Sequence, residues 1–136
     1  MRNRTQSREY ALQMLYQADI RRMDQAQVLG EFWLDQAAAE DVKVFANQLF
    51  EGTMANLAEI DPVIGRHADN WDMKRMAVID RNILRLGVFE LTRLEGVPPK
   101  VCINEAVDLA KRFGDEESGK FINGILDAIH KKTHAR

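Results

Sequence analysis

Apolar residues recur at intervals of three and four along almost the whole chain, and few residues interrupt the pattern. The 136 residues include only three prolines and eight glycines. The clearest run places Met76, Ile79, Ile83 and Leu86 on one line, the spacing of a helix face that packs on a core. No pair of alternating segments joined by a hairpin turn stands out. The pattern therefore predicts an all-α fold, a compact bundle of about seven helices.

Residues that stop or start helices set the expected boundaries. We expect helices at about 7–23, 26–38, 40–59, 61–67, 73–94 and 103–113, and a last one after the acidic turn 115–117. Asp61 and Pro62 indicate a helix start, because aspartate can cap free amides and proline is tolerated in a first turn. Gly96 is expected to end the fifth helix in a left-handed conformation. Gly124 interrupts the last helix, either because a neighbouring helix comes close or as a tolerated irregularity.

Composition indicates a single globular domain. Hydrophobic residues make up 46% of the chain, enough for one core, so disorder is not expected. No apolar run reaches the roughly 18 residues of a membrane span, and the first eight residues do not resemble a signal peptide. Cys102 is the single cysteine and lies between apolar neighbours, which indicates a core thiol in a reducing compartment. We therefore expect one cytoplasmic domain, 1–136, with no membrane contact.

Charge is distributed unevenly along the chain. The formal net charge is −2, but residues 1–8 carry +3, residues 130–136 carry +3 and the body between them carries −8. Basic ends could contact phosphates while an acidic body discourages non-specific nucleic-acid binding. Charged termini can equally be solvated without any ligand. Charge alone leaves both alternatives open.

Motifs that carry catalysis do not occur in the sequence. There is no glycine-rich phosphate loop, and His130 and His134 have no evident third metal ligand. We expect no enzyme activity, metal, cofactor or small-molecule substrate. Basic residues do lie next to rings around one turn, with Lys111, Arg112 and Phe113 before it and Lys120 and Phe121 after it. This is typical of single-stranded RNA binding, although a helix end and a core can also explain it.

Four segments of the chain resemble the NusB family of bacterial transcription antitermination factors. They occur in the family's order and spacing, and the most specific reads PPKVCINEAVDLAKRFG. The segments are residues 7–17, 79–91, 98–114 and 118–127. The resemblance covers essentially the whole chain, although 28–71 is similar mainly in helix pattern. It implies an all-helical fold of two small subdomains that binds RNA and protein without catalysis.

The resemblance also implies the partners and the site residues. Members of the family pair with NusE, a small-subunit ribosomal protein, and the pair recognises boxA RNA in nascent ribosomal RNA transcripts. With other Nus factors, the pair joins elongating RNA polymerase and suppresses premature termination. The positions that match RNA-facing residues of the family are Arg4, Arg8, Phe113, Glu117, Ser118, Lys120 and Phe121. The positions that match the partner surface are Tyr16 and Asp80, where Asp80 supplies a carboxylate for a partner cation.

The amino-terminal end departs from the family's dense basic run, because residues 5–7 separate Arg4 from Arg8. Fewer cations predict weaker phosphate binding by the isolated chain and a shallower salt dependence. The main alternative function is a helical protein-binding adaptor without specific RNA recognition. Certain ribosomal RNA cytosine methyltransferases carry a NusB-like front domain, but residues 1–136 leave no room for a cofactor-binding domain, so we do not expect this enzyme.

Overall fold

The computed structural model describes residues 3–68 and 72–134. Within these residues the chain forms seven α-helices and one short 3-10 helix, with no β-strand. The α-helices are α1 (Asn3–Arg21), α2 (Gln25–Phe32), α3 (Glu40–Ala55), α4 (Leu57–His67), α5 (Val78–Arg93), α6 (Pro99–Phe113) and α7 (Ser118–His134). The 3-10 helix, Met73–Arg75, precedes α5. The all-α fold and the number of helices predicted from the apolar spacing are confirmed.

α1 is central to the bundle because it packs along both α3 and α5. Ser7 donates a hydrogen bond to the Val42 carbonyl oxygen at 2.8 Å, and Arg8 reaches Glu90 of α5. The first three helices form one group and α4–α7 a second, and the two groups meet along α1, α3 and α5. One cluster of buried apolar side chains runs through both groups. Its members include Leu15, Leu49, Leu84 and Leu126.

α4 begins before the signal expected from the sequence, so the interpretation of Asp61 and Pro62 as a helix start is wrong. The Ile60 amide already bonds to the Asn56 carbonyl oxygen at 2.9 Å, upstream of both residues. Pro62 lies in the second turn, where its missing N–H leaves one carbonyl without its usual helical donor. Asp61 instead accepts two hydrogen bonds from Arg85 of α5, both at 2.9 Å. The carboxylate joins two helices and caps neither.

α5 begins at Val78, five residues later than predicted. Met76 and Ala77 are extended, with ψ angles of 147° and 138°, so the apolar register continues across a break in the helix. Asp72 caps the 3-10 helix, where its carboxylate accepts a hydrogen bond from the Lys74 amide at 3.1 Å. Met76 is nevertheless buried. Apolar spacing therefore predicted which residues are buried but not where the helix starts.

Close approach between helices occurs at a different glycine from the one expected. At Gly124 nothing lies within 4 Å of the position of a Cβ, so the close-approach alternative is wrong there. At Gly87 of α5, a Cβ would lie 2.8 Å from Leu126 Cδ1, so a side chain at this position would force the Leu126 side chain of α7 to move. Gly96 has a φ of 88°, which confirms the left-handed conformation expected after α5.

Asp19, near the end of α1, ties the two groups of helices together. Its Oδ2 atom accepts hydrogen bonds from Arg81 at 2.7 and 2.9 Å, from Asn82 at 3.0 Å and from Arg85 at 3.1 Å. Burial by itself raises the pKa of Asp19, but the hydrogen bonds and the charges of both arginines outweigh it and lower the pKa. The folded state therefore favours the charged carboxylate. Its contribution to stability is present above the ordinary pKa of 3.8 and is lost as the pH falls.

Replacing Asp19 with asparagine is expected to lower the free energy of unfolding by about 2 kcal/mol at pH 7, because two arginines lose a charged acceptor. The difference from the native chain should shrink as the pH falls below 3.8, because the unfolded native chain then takes up a proton that the folded carboxylate resists. Urea denaturation across this pH range measures both effects. Asp127→Asn is the matched control, since Asp127 pairs with Lys131 on an exposed part of α7 and contributes less than about 0.5 kcal/mol. A loss that stays constant down to low pH would argue against the ionic role of Asp19.

Candidate functional site

The turn between α6 and α7 is built by a reciprocal helix cap. Asp115 Oδ1 accepts hydrogen bonds from the backbone amides of Glu117 and Ser118, at 2.9 and 3.1 Å. The Ser118 hydroxyl in return accepts a hydrogen bond from the Asp115 amide at 3.0 Å. These bonds satisfy free amides at the start of α7. They fix the turn and with it the positions of Lys120 and Phe121 in the first turn of α7.

A groove of about 510 Å³, termed the Asp80 groove, opens beside this turn. Its lining residues are Met76, Ala77, Asp80, Asp115, Glu117, Ser118, Lys120 and Phe121. Five residues singled out from the sequence meet here, four from the expected RNA-facing set and Asp80 from the expected partner set. One wall comes from the start of α5 and the other from the α6–α7 turn. The structure therefore brings residues of both sets into one open site.

Asp80 is the unusual group of the Asp80 groove. The residue is 9% exposed, and its Oδ1 atom is buried with no hydrogen-bond partner among the described residues. Burial raises the pKa of Asp80, a hydrogen bond with the Ser118 hydroxyl opposes this rise, and the charge of Asp115 adds to it. A carboxylate in this environment is stabilised by a ligand that brings a positive charge or N–H donors.

A second groove, of about 390 Å³, is termed the Tyr16 groove. Ile79 of α5, the residue before Asp80, lines it. Its lining residues are Leu12, Gln13, Tyr16, Gln17, Ile79 and Phe113. Tyr16 is 38% exposed and Phe113 is 42% exposed. Tyr16 was expected to contact the partner and Phe113 to contact RNA, but the structure places both rings in this groove. The two expected sets are therefore interleaved around the start of α5.

Arg8 does not face solvent, so its prediction as a phosphate contact is wrong. Its side chain is 2% exposed. The guanidinium donates hydrogen bonds to Glu90 at 2.7 to 3.0 Å and to Glu105 at 3.1 Å. Burial opposes the charged form, but the hydrogen bonds and charges of the two glutamates raise the pKa of Arg8. Arg8 is a charged structural residue that links α1, α5 and α6.

The other expected RNA-facing residues divide into buried and exposed side chains. Ser118 is 2% exposed and its hydroxyl takes part in the α7 cap, so its expected direct contact is corrected to a role in shaping the turn. Glu117 and Lys120 are exposed at the Asp80 groove. Arg4 is exposed as well, with its guanidinium carbon 4.0 Å from the centroid of the Phe45 ring. Arg4 precedes Leu12, the first α1 residue of the Tyr16 groove, by about 12 Å along the helix, and it lines neither groove.

Two features of this region were not found from the sequence. The first is the apolar side of the Tyr16 groove, for which the spacing of Leu12 and Tyr16 by four residues was an available signal. The second is an ion pair between Glu9 of α1 and Arg112 of α6. No local pattern predicts that pair, because its members are far apart in the chain and meet only where α1 and α6 both pack against α5.

Other side-chain chemistry is sparse in residues 3–68 and 72–134. No group of three or more histidine, cysteine, aspartate or glutamate side chains there is arranged to hold a metal ion. None of the helices in these ranges combines the length and the apolar character needed to cross a bilayer. Cys102 is 1% exposed, which confirms the core thiol. Burial raises its pKa to about 12, so the thiol stays protonated at neutral pH.

Comparison with known proteins places the chain among transcription factors. A family model described as the NusB family matches residues 5–131. The transcription antitermination protein NusB of Syntrophus aciditrophicus is 43% identical, over 100% of this chain and 84% of that protein. The protein of the same name from Myxococcus xanthus is 47% identical, over 93% of each chain.

Solved structures share the fold as well. T. maritima NusB matches with a TM-score of 0.87 and 41% identity, over 95% of this chain and 91% of that one. A chain in the crystal structure of antitermination factors NusB and NusE in complex with dsRNA matches with a TM-score of 0.88 and 34% identity, over 97% of this chain and 98% of that one. With sequence and fold in agreement along nearly its whole length, this chain belongs to the NusB family.

Proposed function

We propose that this chain is a transcription antitermination factor that pairs with NusE and binds boxA RNA of nascent ribosomal RNA transcripts in the cytoplasm. With other Nus factors it joins elongating RNA polymerase and suppresses premature termination. It acts by binding, without catalysis. The observation that carries the proposal is the presence of two adjoining grooves, the Asp80 groove and the Tyr16 groove, on a chain similar to NusB proteins over nearly its full length.

The RNA side of the proposal rests on the first turn of α7. Lys120 is exposed at the Asp80 groove, and the half-buried Phe121 follows it. An ammonium group can neutralise a phosphate, and an aromatic ring can stack on an unpaired base. The carboxylates of Asp80 and Glu117 repel phosphate from the inside of the groove. Phosphate contact is therefore assigned to Lys120, with base contact at Phe121.

The partner side rests on Asp80 and Tyr16. The nearly buried carboxylate of Asp80 suits a cationic side chain of NusE, which would supply the missing hydrogen-bond donor. Tyr16 offers a partly exposed ring beside apolar Ile79 and Leu12, and such rings are frequent anchors of protein interfaces. NusE and RNA then bind next to each other around the start of α5, with Asp80 and Lys120 on opposite walls of the Asp80 groove.

Fluorescence anisotropy of a labelled boxA RNA tests this function. The RNA is titrated with the chain and an equimolar amount of NusE at one fixed salt concentration, beside a scrambled RNA of the same composition. We expect saturable binding that is clearly tighter for boxA, and weaker binding when NusE is omitted. Equal binding of both RNAs with NusE binding intact would favour the protein-binding adaptor. Tighter boxA binding by the isolated chain than by the pair would contradict the joint mechanism.

Reversing the charge of Lys120 with Lys120→Glu is expected to weaken boxA binding by the pair about tenfold or more, because a phosphate contact becomes a repulsion. Binding of NusE should be unchanged. Lys100→Glu is the matched control, since Lys100 is an exposed lysine at the opposite end of α6 and undergoes the same charge change. The same anisotropy titration measures both variants. Equal losses for the two would mean that the overall charge of the chain, and not the Asp80 groove, determines RNA affinity.

A further inference from the structure

The carboxyl-terminal end of α6 carries an ion pair beside an exposed ring. Arg112 Nη2 pairs with Glu9 Oε1 of α1. The guanidinium carbon of Arg112 lies 5.6 Å from the centroid of the Phe113 ring. The Glu9 side chain is 11% exposed, whereas the Arg112 side chain is 38% exposed and Phe113 is 42% exposed. A nearly buried carboxylate therefore holds a partly exposed guanidinium beside an exposed aromatic ring.

This arrangement lies between two grooves. Phe113 lines the Tyr16 groove. Arg112 lines a separate groove of about 670 Å³ along α6, together with Lys111, the carboxylates of Glu105 and Asp108, and Thr5 of α1. Arg112 and Phe113 thus form a ridge between the two grooves. An extended ligand that occupies both grooves has to cross this ridge.

The chemistry of the ridge favours RNA as that ligand. A planar guanidinium binds phosphate through a fork of N–H donors, and an exposed ring stacks on an unpaired base. A cationic protein side chain would be repelled by Arg112, and an apolar one would have to desolvate the guanidinium. One nucleotide of a single strand uses both groups at once.

We propose that Arg112 and Phe113 hold one unpaired nucleotide of the RNA, and that Glu9 is a positioning residue that keeps the guanidinium beside the ring. This inference rests on the proposed RNA binding and adds Glu9 and Arg112 to the residues assigned to it. Glu9 acts through Arg112 and does not itself contact the nucleotide.

Replacing Glu9 distinguishes this proposal from a purely electrostatic one, because the two predict opposite changes in RNA affinity. If charge alone mattered, removing a carboxylate close to bound RNA would tighten binding. If Glu9 positions Arg112, the same change leaves the arginine side chain free to sample other rotamers, and binding must then order it. Glu9→Gln is therefore expected to weaken RNA binding about fivefold, although it makes the chain less negative.

Variants of Arg112 complete the test. Arg112→Gln should weaken RNA binding about tenfold and lower the slope of log affinity against log salt by about 0.7. Arg112→Lys should bind RNA nearly as weakly as Arg112→Gln, because an ammonium lacks the planar fork of N–H donors. In the Arg112→Gln background, Glu9→Gln should cause no further loss. Arg93→Gln is the matched control, since it removes the same charge from an exposed arginine at the end of α5 that lines neither groove.

Two measurements read out these variants in the complex with NusE. Anisotropy of labelled boxA RNA gives affinity, and 2-aminopurine placed at successive positions of the RNA reports stacking. The fluorescence of 2-aminopurine at one position should be quenched in the native complex. Phe113→Leu and Glu9→Gln should each relieve this quenching. Thermal melting followed by circular dichroism checks that each variant folds. If Glu9→Gln does not fold, the exposed substitution Arg112→Lys decides the question alone.

Unchanged or tighter RNA binding by Glu9→Gln would overturn the proposal, as would unchanged binding by Arg112→Lys. Loss of NusE binding with RNA binding intact would also overturn it and assign the ridge to the protein partner. Failure of the proposed function looks different, because the native pair itself would then show no preference for boxA over the scrambled RNA. The direction in which Glu9→Gln changes RNA affinity, and the quenching of 2-aminopurine fluorescence, can still be measured with either RNA.

Discussion

Replacing Arg8 with methionine is expected to destabilise the folded protein by about 3–5 kcal/mol, because a buried carboxylate loses its only strong counter-charge within the described residues. Arg8 and Glu90 are each 2% exposed and are joined by three hydrogen bonds of 2.7 to 3.0 Å. Methionine fills a similar volume but cannot donate a hydrogen bond. Urea denaturation followed by circular dichroism measures the loss.

The pH dependence of the Arg8→Met variant identifies the cause of the loss. Burial raises the pKa of Glu90, and the hydrogen bonds and charge of Arg8 oppose this rise. Without Arg8 the pKa rises further, so the folded variant binds a proton more readily than the unfolded chain and becomes less stable as the pH increases. The destabilisation should therefore be smaller at pH 5 than at pH 8. Arg21→Met, which removes an exposed arginine from the last turn of the same helix, serves as the control and should leave stability nearly unchanged.

Replacing Asp80 with asparagine is expected to weaken the affinity for NusE about 30-fold or more, because a cation of the partner loses a nearly buried charged acceptor. The side chain keeps its size and shape, so the Asp80 groove is preserved. The fold should be as stable as the native one, since burial disfavours the charge that is removed. Isothermal titration calorimetry with purified NusE measures the affinity.

Glu116→Gln provides the control for Asp80→Asn, because Glu116 is an exposed carboxylate of the same α6–α7 turn that does not line the Asp80 groove. It should bind NusE within about twofold of the native chain, as expected for a charge at the rim of an interface. Equal affinities for Asp80→Asn and the native chain would remove Asp80 from the partner interface. The Asp80 carboxylate, whose Oδ1 atom lacks a hydrogen-bond partner among the described residues, would then have to be assigned to RNA.

The helices could be predicted because apolar spacing reports which faces are buried, and burial decides the fold class. The same signal does not define helix ends. Met76 keeps its place in the apolar register although the backbone there is extended, so the predicted helix was too long. Asp61 and Pro62 form a valid local start signal, but a hydrogen bond upstream of them and an ion pair with Arg85 outweighed it. Tertiary contacts overrode local preference in both places.

The site could be predicted in part, because the resemblance identified segments whose residues line the two grooves. Arg8 was misassigned because its carboxylate partners are distant in the sequence. A local signal was nevertheless present, since Arg8 lies three and seven residues before Ala11 and Leu15 and so shares their buried helix face. The mixing of the expected partner and RNA residues could not be predicted, because it depends on how α5 lies between α1 and α7.

The start of α5 joins the two grooves through consecutive residues, with Ile79 in one wall and Asp80 in the other. A ligand that shifts this turn of helix changes the shape of both grooves, so the two binding equilibria are thermodynamically linked. Linkage is reciprocal: the factor by which NusE changes the affinity for RNA equals the factor by which RNA changes the affinity for NusE. A chain whose amino-terminal arginines are separated can in this way bind RNA more tightly when its protein partner is present, and bind the partner more tightly when RNA is present.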